Sequence, residues 1–213
     1  MDNFMELTLE NDNIFFVSDI HYNHHKLCSS YEDHFERYRK YATVEEMNKD
    51  IVERWNKYIS KDDTVIFLGD WMMNIQWDKL LDTFKYLYET LNFNKLYMVQ
   101  GNHDHKLFKK ILPVINEFKN IFLAHDGLKL HHHDKLYLCQ HYTFDKRTND
   151  YNSGDPHMLN EMLCHDILPN YLVHGHTHVD CPVSTTDMGY IQNNVCWEVW
   201  YRPIKIDELK PMH

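Results

Sequence analysis

Three short apolar runs, each closing on residue types that bind metals, constrain this chain more than any other feature. Residues 14–17 run into Ser18-Asp19-Ile20-His21, residues 64–68 into Gly69-Asp70, and residues 96–100 into Gly101-Asn102-His103-Asp104. Two stretches with helical spacing separate them. In residues 43–59 the apolar positions Val44, Met47, Ile51, Trp55 and Tyr58 recur every three or four residues, a stripe that packs on a sheet. Thr43 with Glu46 has the capping-box pattern. Residues 77–91 form the second helical stretch. Strand, helix, strand, helix, strand predicts βαβ units, whose ligands gather beyond the carboxyl ends of the strands.

After Pro113 the pattern changes. Residues 120–124, 129–133 and 136–140 read as short strands, the last leading into His141. Asp126-Gly127 is expected as a hairpin turn between the first two, and His133-Asp134 as a turn between the next. Residues 143–156 have loop composition, and a loop of that length is expected to be functional or mobile. A helix over 157–167 and a strand over 170–174 lead to Gly175-His176-Thr177-His178. The alternation Val195, Trp197, Val199, Tyr201 predicts a last strand. No repeat, low-complexity tract or linker divides the 213 residues, so one domain over 1–213 is expected.

The strand ends carry a consistent chemistry. Asp19 and His21 lie two apart, and in an extended segment such residues point the same way and can grip one ion. Gly101 permits a sharp exit from its strand. Asn102 offers a neutral oxygen, His103 a proton near neutral pH, and Asp104 a carboxylate that can fix a histidine tautomer. Asp19, His21, Asp70, Asn102, His141, His176 and His178 form an oxygen-and-imidazole set without thiolate. Such a set suits manganese, iron, zinc, nickel or cobalt and not a closed cysteine site. Seven ligands exceed the needs of one ion and suffice for two divalent ions, with Asp70 the natural bridge because it stands alone on its strand. Two ions about 3.5–4 Å apart clamp the oxygens of an in-line displacement at phosphorus and make a nucleophile of bound water.

Composition narrows the partners. A net charge of −10 argues against an extended nucleic-acid surface. It leaves room for a confined anion site whose sign bound metals reverse. The 17 histidines include many at predicted strand ends. The five cysteines are odd in number and contain no C-x-x-C pair, which fits reduced thiols in a cytoplasmic location. No apolar run is long enough for a spanning helix, and Met1 to Glu6 lacks a secretory start, so no membrane partner is expected.

Asp19-Ile20-His21, Gly69-Asp70, Gly101-Asn102-His103-Asp104, the lone His141 and Gly175-His176-Thr177-His178, in this order, resemble the calcineurin-like metallophosphoesterases. The resemblance runs from about residue 14 to 201. It is closest to the small bacterial and phage predicted phosphoesterases, through Glu45-Glu46-Met47-Asn48, Trp55-Asn56 and the stretch NVCWEVWYRP. It implies an α/β (α+β) fold, a four-layer α/β/β/α sandwich with the site at one end of the sheets. It implies one ion, manganese first, on Asp19, His21, Asp70 and His178, and a second on Asp70, Asn102, His141 and His176. It makes His103 a general acid or phosphate contact with Asp104 as its orienting partner. Cys196 and Thr143 depart from the glycine and proline usual in relatives. Trp71-Met72-Met73 either fill the core, the simpler reading, or wall the pocket.

The expected activity is hydrolysis of a phosphomonoester or phosphodiester of nucleotide type, by a hydroxide bridging two divalent metals. The expected partner is a small phosphorylated substrate such as a nucleotide. One alternative is a nuclease or nucleic-acid end-processing phosphodiesterase. Another is a non-catalytic, metal-bound scaffold, whose mark would be lost ligands, and no ligand is lost. Lys146 and Arg147, the cations of the loop after His141, are the expected substrate contacts.

Overall fold

The computed structural model describes residues 4–28, 39–145 and 157–213. The first βαβ units are present: β2 (Ile14–Val17), α1 (Val44–Tyr58), β3 (Thr64–Phe67), α2 (Leu80–Thr90) and β4 (Lys95–Val99), preceded by β1 (Phe4–Leu9). Next come α3 (His105–Ile111), β5 (Ile121–Ala124), β6 (Gly127–His132), β7 (Lys135–Cys139) and α4 (His157–Cys164). The chain ends through β8 (Tyr171–His174), β9 (Val183–Thr185), β10 (Ile191–Asn194), α5 (Trp197–Trp200) and β11 (Ile204–Lys205).

Two sheets result. One has the order β11-β2-β3-β4-β5, with β2 to β5 parallel and β11 antiparallel at the edge. The other is mixed, in the order β1-β6-β7-β8-β10-β9. Strand alternation sorts the apolar residues into layers. Phe16, Ile66, Leu68 and Tyr97 meet Leu128, Leu130, Tyr137 and Val173 between the sheets. Val65, Phe67 and Met98 point outward to Met47, Ile51, Trp55, Phe84 and Leu87 of α1 and α2. Leu138 and Leu172 pack on Met158, Leu159 and Met162 of α4. β3 is therefore buried on both faces, which explains its unbroken apolar run. The layers stack as the expected α/β/β/α sandwich.

The start of α1 follows its sequence signal closely. Thr43 Oγ1 accepts from the Glu46 amide at 3.2 Å, while the Glu46 carboxylate accepts from the Ala42 amide at 2.9 Å, one residue before the box pattern places it. Trp71 and Met72 are buried, and Trp71 lies edge-on to Phe67 and Trp55, so this part of the trio fills core.

Two expectations are corrected. Asp126-Gly127 does not close a hairpin. β5 is an edge strand of the five-stranded sheet, whereas β6 pairs with β1 and β7 in the other, so the turn carries the chain between sheets. Glycine suits that crossing, because a Cβ at Gly127 would stand 2.6 Å from the Phe4 ring and 2.7 Å from the Cys139 carbonyl. The His133-Asp134 turn does join antiparallel β6 and β7. The second correction concerns Val195 to Tyr201, which is no strand beyond a bridge of Cys196 to Ser18. The chain coils into α5 and leaves it at Tyr201 with a left-handed φ of 50°. Trp197 is buried while Val199 and Tyr201 are only half-buried, so the alternating pattern has no single sheet face to serve. The five cysteines are unpaired, and no described helix is long and apolar enough to cross a membrane.

Candidate metal centre

The centre lies beyond the carboxyl ends of β2, β3 and β4 of one sheet and of β7 and β8 of the other. Five of its seven candidate residues share an unusual backbone. Asp19 (φ 55°), His21 (46°), Asp70 (63°), His176 (72°) and His178 (50°) are all left-handed. That conformation costs roughly 1–2 kcal/mol for an ordinary L-residue, and such outliers cluster where function requires them. Asp19 and His21 thus converge through a coiled main chain, not through the pleat of an extended strand. Cross-strand bonds hold the coils: the Asp19 amide to the Gly69 carbonyl at 2.8 Å, His21 to Asp70 at 3.1 Å, and Gly175 to His141 at 2.9 Å.

Two clusters form around Asp70. In the first, His21 Nε2 lies 3.1 Å from His178 Nε2, and Asp19 Oδ1 lies 3.7 Å from the former and 3.4 Å from the latter. In the second, His141 Nε2 lies 2.8 Å from Asn102 Oδ1 and 3.2 Å from His176 Nδ1. Asp70 Oδ2 stands between them, 3.5 Å from His21 Nε2 and 3.6 Å from His141 Nε2. All seven sequence-predicted ligands are brought together.

The donors fit divalent ions. Bonds of about 2.0–2.1 Å at right angles place two nitrogens about 3 Å apart, the spacing of each imidazole pair. Asp19 Oδ1 is buried without a hydrogen-bond partner, an orphan that a cation would satisfy. Burial drives the His21 imidazole down to about 3, so it is a neutral ligand, and lifts the Asp70 carboxyl to about 7 beside Asp19 and Asp104. Burial opposes charge on His178 too, but Glu198 and Asp19 outweigh it and hold the imidazolium up to about 10. Asp19 is likewise pushed up by burial, yet its contacts with His178 and His21 bring it well below the usual carboxylate range.

A second layer of contacts aims these groups. His141 Nδ1 donates to the Leu68 carbonyl at 2.7 Å, which aims Nε2 at Asn102 Oδ1 and His176; burial opposes charge on this ring, but Asp70 and Asp19 outweigh it and raise its pKa. Asp19 Oδ2 accepts from the His176 amide at 2.8 Å and from the Cys196 thiol at 3.2 Å, which gives that buried thiol a use. Side chains at Gly101 or Gly175 would collide with the carboxylates of Asp70 and Asp19. Behind His178, Glu198 Oε1 lies 3.0 Å from Nδ1, off the line of a good hydrogen bond, and accepts from Arg39 Nε at 2.6 Å. Arg39 is fully buried and also donates to the carbonyls of Asp19 and Ile20. Neither Arg39 nor Glu198 emerges from the sequence reading. Glu198 sits within the NVCWEVWYRP stretch and was open to discovery there, whereas Arg39 lies in a stretch without period.

His103 stands at the rim, with its side chain 41% exposed and Nε2 4.0 Å from Asp70 Oδ2. Burial of its inner half lowers its pKa. Its main-chain amide, not its ring, donates to Asp70 Oδ1 at 2.9 Å. Asp104 makes no hydrogen bond to that ring. Its Oδ2 accepts from the amides of Asp70 (2.6 Å) and Gly101 (2.9 Å), and its Oδ1 from that of Trp71 (3.0 Å). The carboxylate clamps the ends of β3 and β4 together, and its hydrogen bonds go to these main-chain amides and not to the His103 ring. Lys146 and Arg147 lie outside the described residues.

Residues 13–180 match the family described as calcineurin-like phosphoesterase. The chain is 29% identical over 143 residues to an uncharacterized protein of Methanocaldococcus jannaschii, an alignment spanning 62% of this chain and 74% of that one. Among solved structures it is similar to a protein of unknown function from Aquifex aeolicus, with a TM-score of 0.57, 21% identity, and coverage of 92% of this chain and 96% of the other. At that identity the likeness concerns the fold.

Proposed function

Because the chain belongs to the calcineurin-like phosphoesterase family, which is metal-dependent, we propose that it hydrolyses a phosphomonoester or phosphodiester of nucleotide type at two divalent ions, manganese first among them. The observation that carries this reading is the position of Asp70 Oδ2, at 3.5 and 3.6 Å from an imidazole of each cluster. When bound, such ions supply Lewis acidity toward a phosphoryl oxygen and a nucleophile drawn from water near neutral pH.

The chain's own residues divide the remaining work. Asp19, His21 and His178 would hold one ion with Asp70, and Asn102, His141 and His176 the other. Neutral His21 is ready to ligate, while His178 and His141, whose charged forms the neighbouring carboxylates favour against the opposing effect of burial, must give up a proton first. His103, part-exposed with Nε2 4.0 Å from Asp70 Oδ2, would hydrogen-bond a phosphoryl oxygen or protonate the oxygen that departs. Among the described residues near the site the guanidinium of Arg39 is buried against Glu198 and main-chain carbonyls, so it does not compete for the phosphate.

The test is a substrate panel with manganese-loaded protein: p-nitrophenyl phosphate, bis-p-nitrophenyl phosphate, 2′,3′- and 3′,5′-cyclic nucleotides, dinucleotides and short single strands. Metal-dependent turnover that disappears in Asp70→Asn is the expected result. A fully metal-loaded chain that hydrolyses none of them would remove the reading.

A further inference from the structure

We propose that Asp12, His132 and His133 form a separate site for a zinc-class divalent ion at the pole of the sandwich opposite the metal centre. β7 starts two residues after His133 and ends just before His141, and Asp12 precedes β2 as Asp19 follows it. The cluster is therefore a full strand length from Asp70.

Neighbouring residues on a strand point to opposite faces, as exposed His131 and buried His132 do. His133 breaks that rule. Its φ of 52° turns the side chain back, so that the rings of His132 and His133 lie with centroids 4.1 Å apart. Both reach the same oxygen: Asp12 Oδ1 is 3.3 Å from His132 Nε2 and 2.9 Å from His133 Nε2. The three donor atoms all lie within 4.8 Å of one another. For bonds of about 2.0–2.1 Å the edge of a ligand tetrahedron is about 3.3 Å, close to both spacings. A surface ion pair accounts for one imidazole on Asp12 but not for two converging on one oxygen.

The tautomer is set as a metal ligand requires. His132 Nδ1 donates to the Leu9 carbonyl at 2.9 Å, leaving the Nε2 lone pair toward Asp12. Glu10 lies 3.8 Å from His133 Nδ1, beyond hydrogen-bond reach, and adds negative charge beside the cluster. Two imidazoles and one carboxylate leave the fourth position to water. Asp12 belongs to the connection that passes from one sheet to the other, and His132 and His133 to the β6–β7 hairpin. An ion here would tie the two sheets together at the end where no catalysis takes place.

The experiment counts zinc by equilibrium dialysis of the full chain and of Asp12→Asn/His133→Asn. Asparagine is chosen at 133 because it tolerates the left-handed backbone. The parent should hold one zinc more per chain than the variant, whatever the main centre carries, and its melting temperature should rise more on zinc addition. His131→Asn, one residue away on the other face, should keep the parent's count. Equal counts in parent and double variant overturn the proposal, as does a loss of the same ion in His131→Asn. Because the measurement is a difference, failure of the phosphoesterase reading would not alter it.

Discussion

Asp104→Asn should weaken the fold of the metal-free protein before it touches catalysis. The carboxylate is buried and accepts from three main-chain amides, those of Asp70, Trp71 and Gly101. An asparagine can keep its one oxygen on two of them, but its NH2 then faces the third donor. A buried amide left without an acceptor costs about 1–3 kcal/mol. With about 2 kcal/mol lost and 2–4 °C per kcal/mol for a chain of this size, the melting temperature should fall about 4–8 °C. Asp104→Ala leaves all three amides unpaired and should cost at least about 3 kcal/mol, a large part of a typical domain's stability. The assay is thermal unfolding followed by circular dichroism in the presence of a chelator. An asparagine variant that melts with the parent but loses turnover would refute the clamp and restore Asp104 as the partner of His103.

Three further outcomes are expected. Asp70→Asn should lose at least one ion per chain by elemental analysis, because two cations would then face each other without a bridging charge; two fully retained ions would contradict the bridge. His103→Ala should keep its metals and lose activity by on the order of 10²–10⁴ on an alkyl or ribose leaving group, with distinctly less loss on p-nitrophenolate, which needs no proton; an equal loss on both would make it a phosphate-positioning residue. In metal-free protein, the His178 pKa raised from 6.5 to about 10 stabilises the fold fully below 6.5, and that contribution is lost as pH rises toward 10. Asp70, at about 7, is already ionised through most of that window, so the melting temperature should drop between pH 7 and 10, and Glu198→Gln should flatten the drop; an unchanged slope in that variant would remove Glu198 as the cause.

The candidate ligands are legible because each closely follows a short apolar run that reads as a buried strand. β3, with four buried residues and then Gly69-Asp70, reads as a covered strand delivering a carboxylate. The first half of the fold follows from such runs and from the α1 stripe. β10 is harder to read: Gln192, Asn193 and Asn194 are buried polar residues, satisfied by Asp145, the Leu172 carbonyl and Thr177, so no hydrophobic period marks it. Met5, Leu7 and Leu9 do alternate, and β1 could have been found from them. The false hairpin at Asp126-Gly127 shows where local chemistry stops: a tight turn fits equally between paired strands and between sheets, and only the layer each strand must cover decides. Arg39 and Glu198 were hidden for a related reason, since they are 159 residues apart and meet only in the folded chain.

That Arg39–Glu198 pair also says when the centre can come into being during synthesis. Asp19 leaves the ribosome early, yet His176 and His178 follow only after some 150 further residues, and the carboxylate that steadies His178 later still. β2, which presents Asp19, gains its edge partner β11 only at residues 204–205. Contacts of such long sequence separation are slow to form. A growing chain can thus expose Asp70, Asn102 and His141 as a partial ligand set well before the other half exists. The complete set of candidate ligands is for this reason assembled late, with closure of the whole sandwich and not with the folding of its first half.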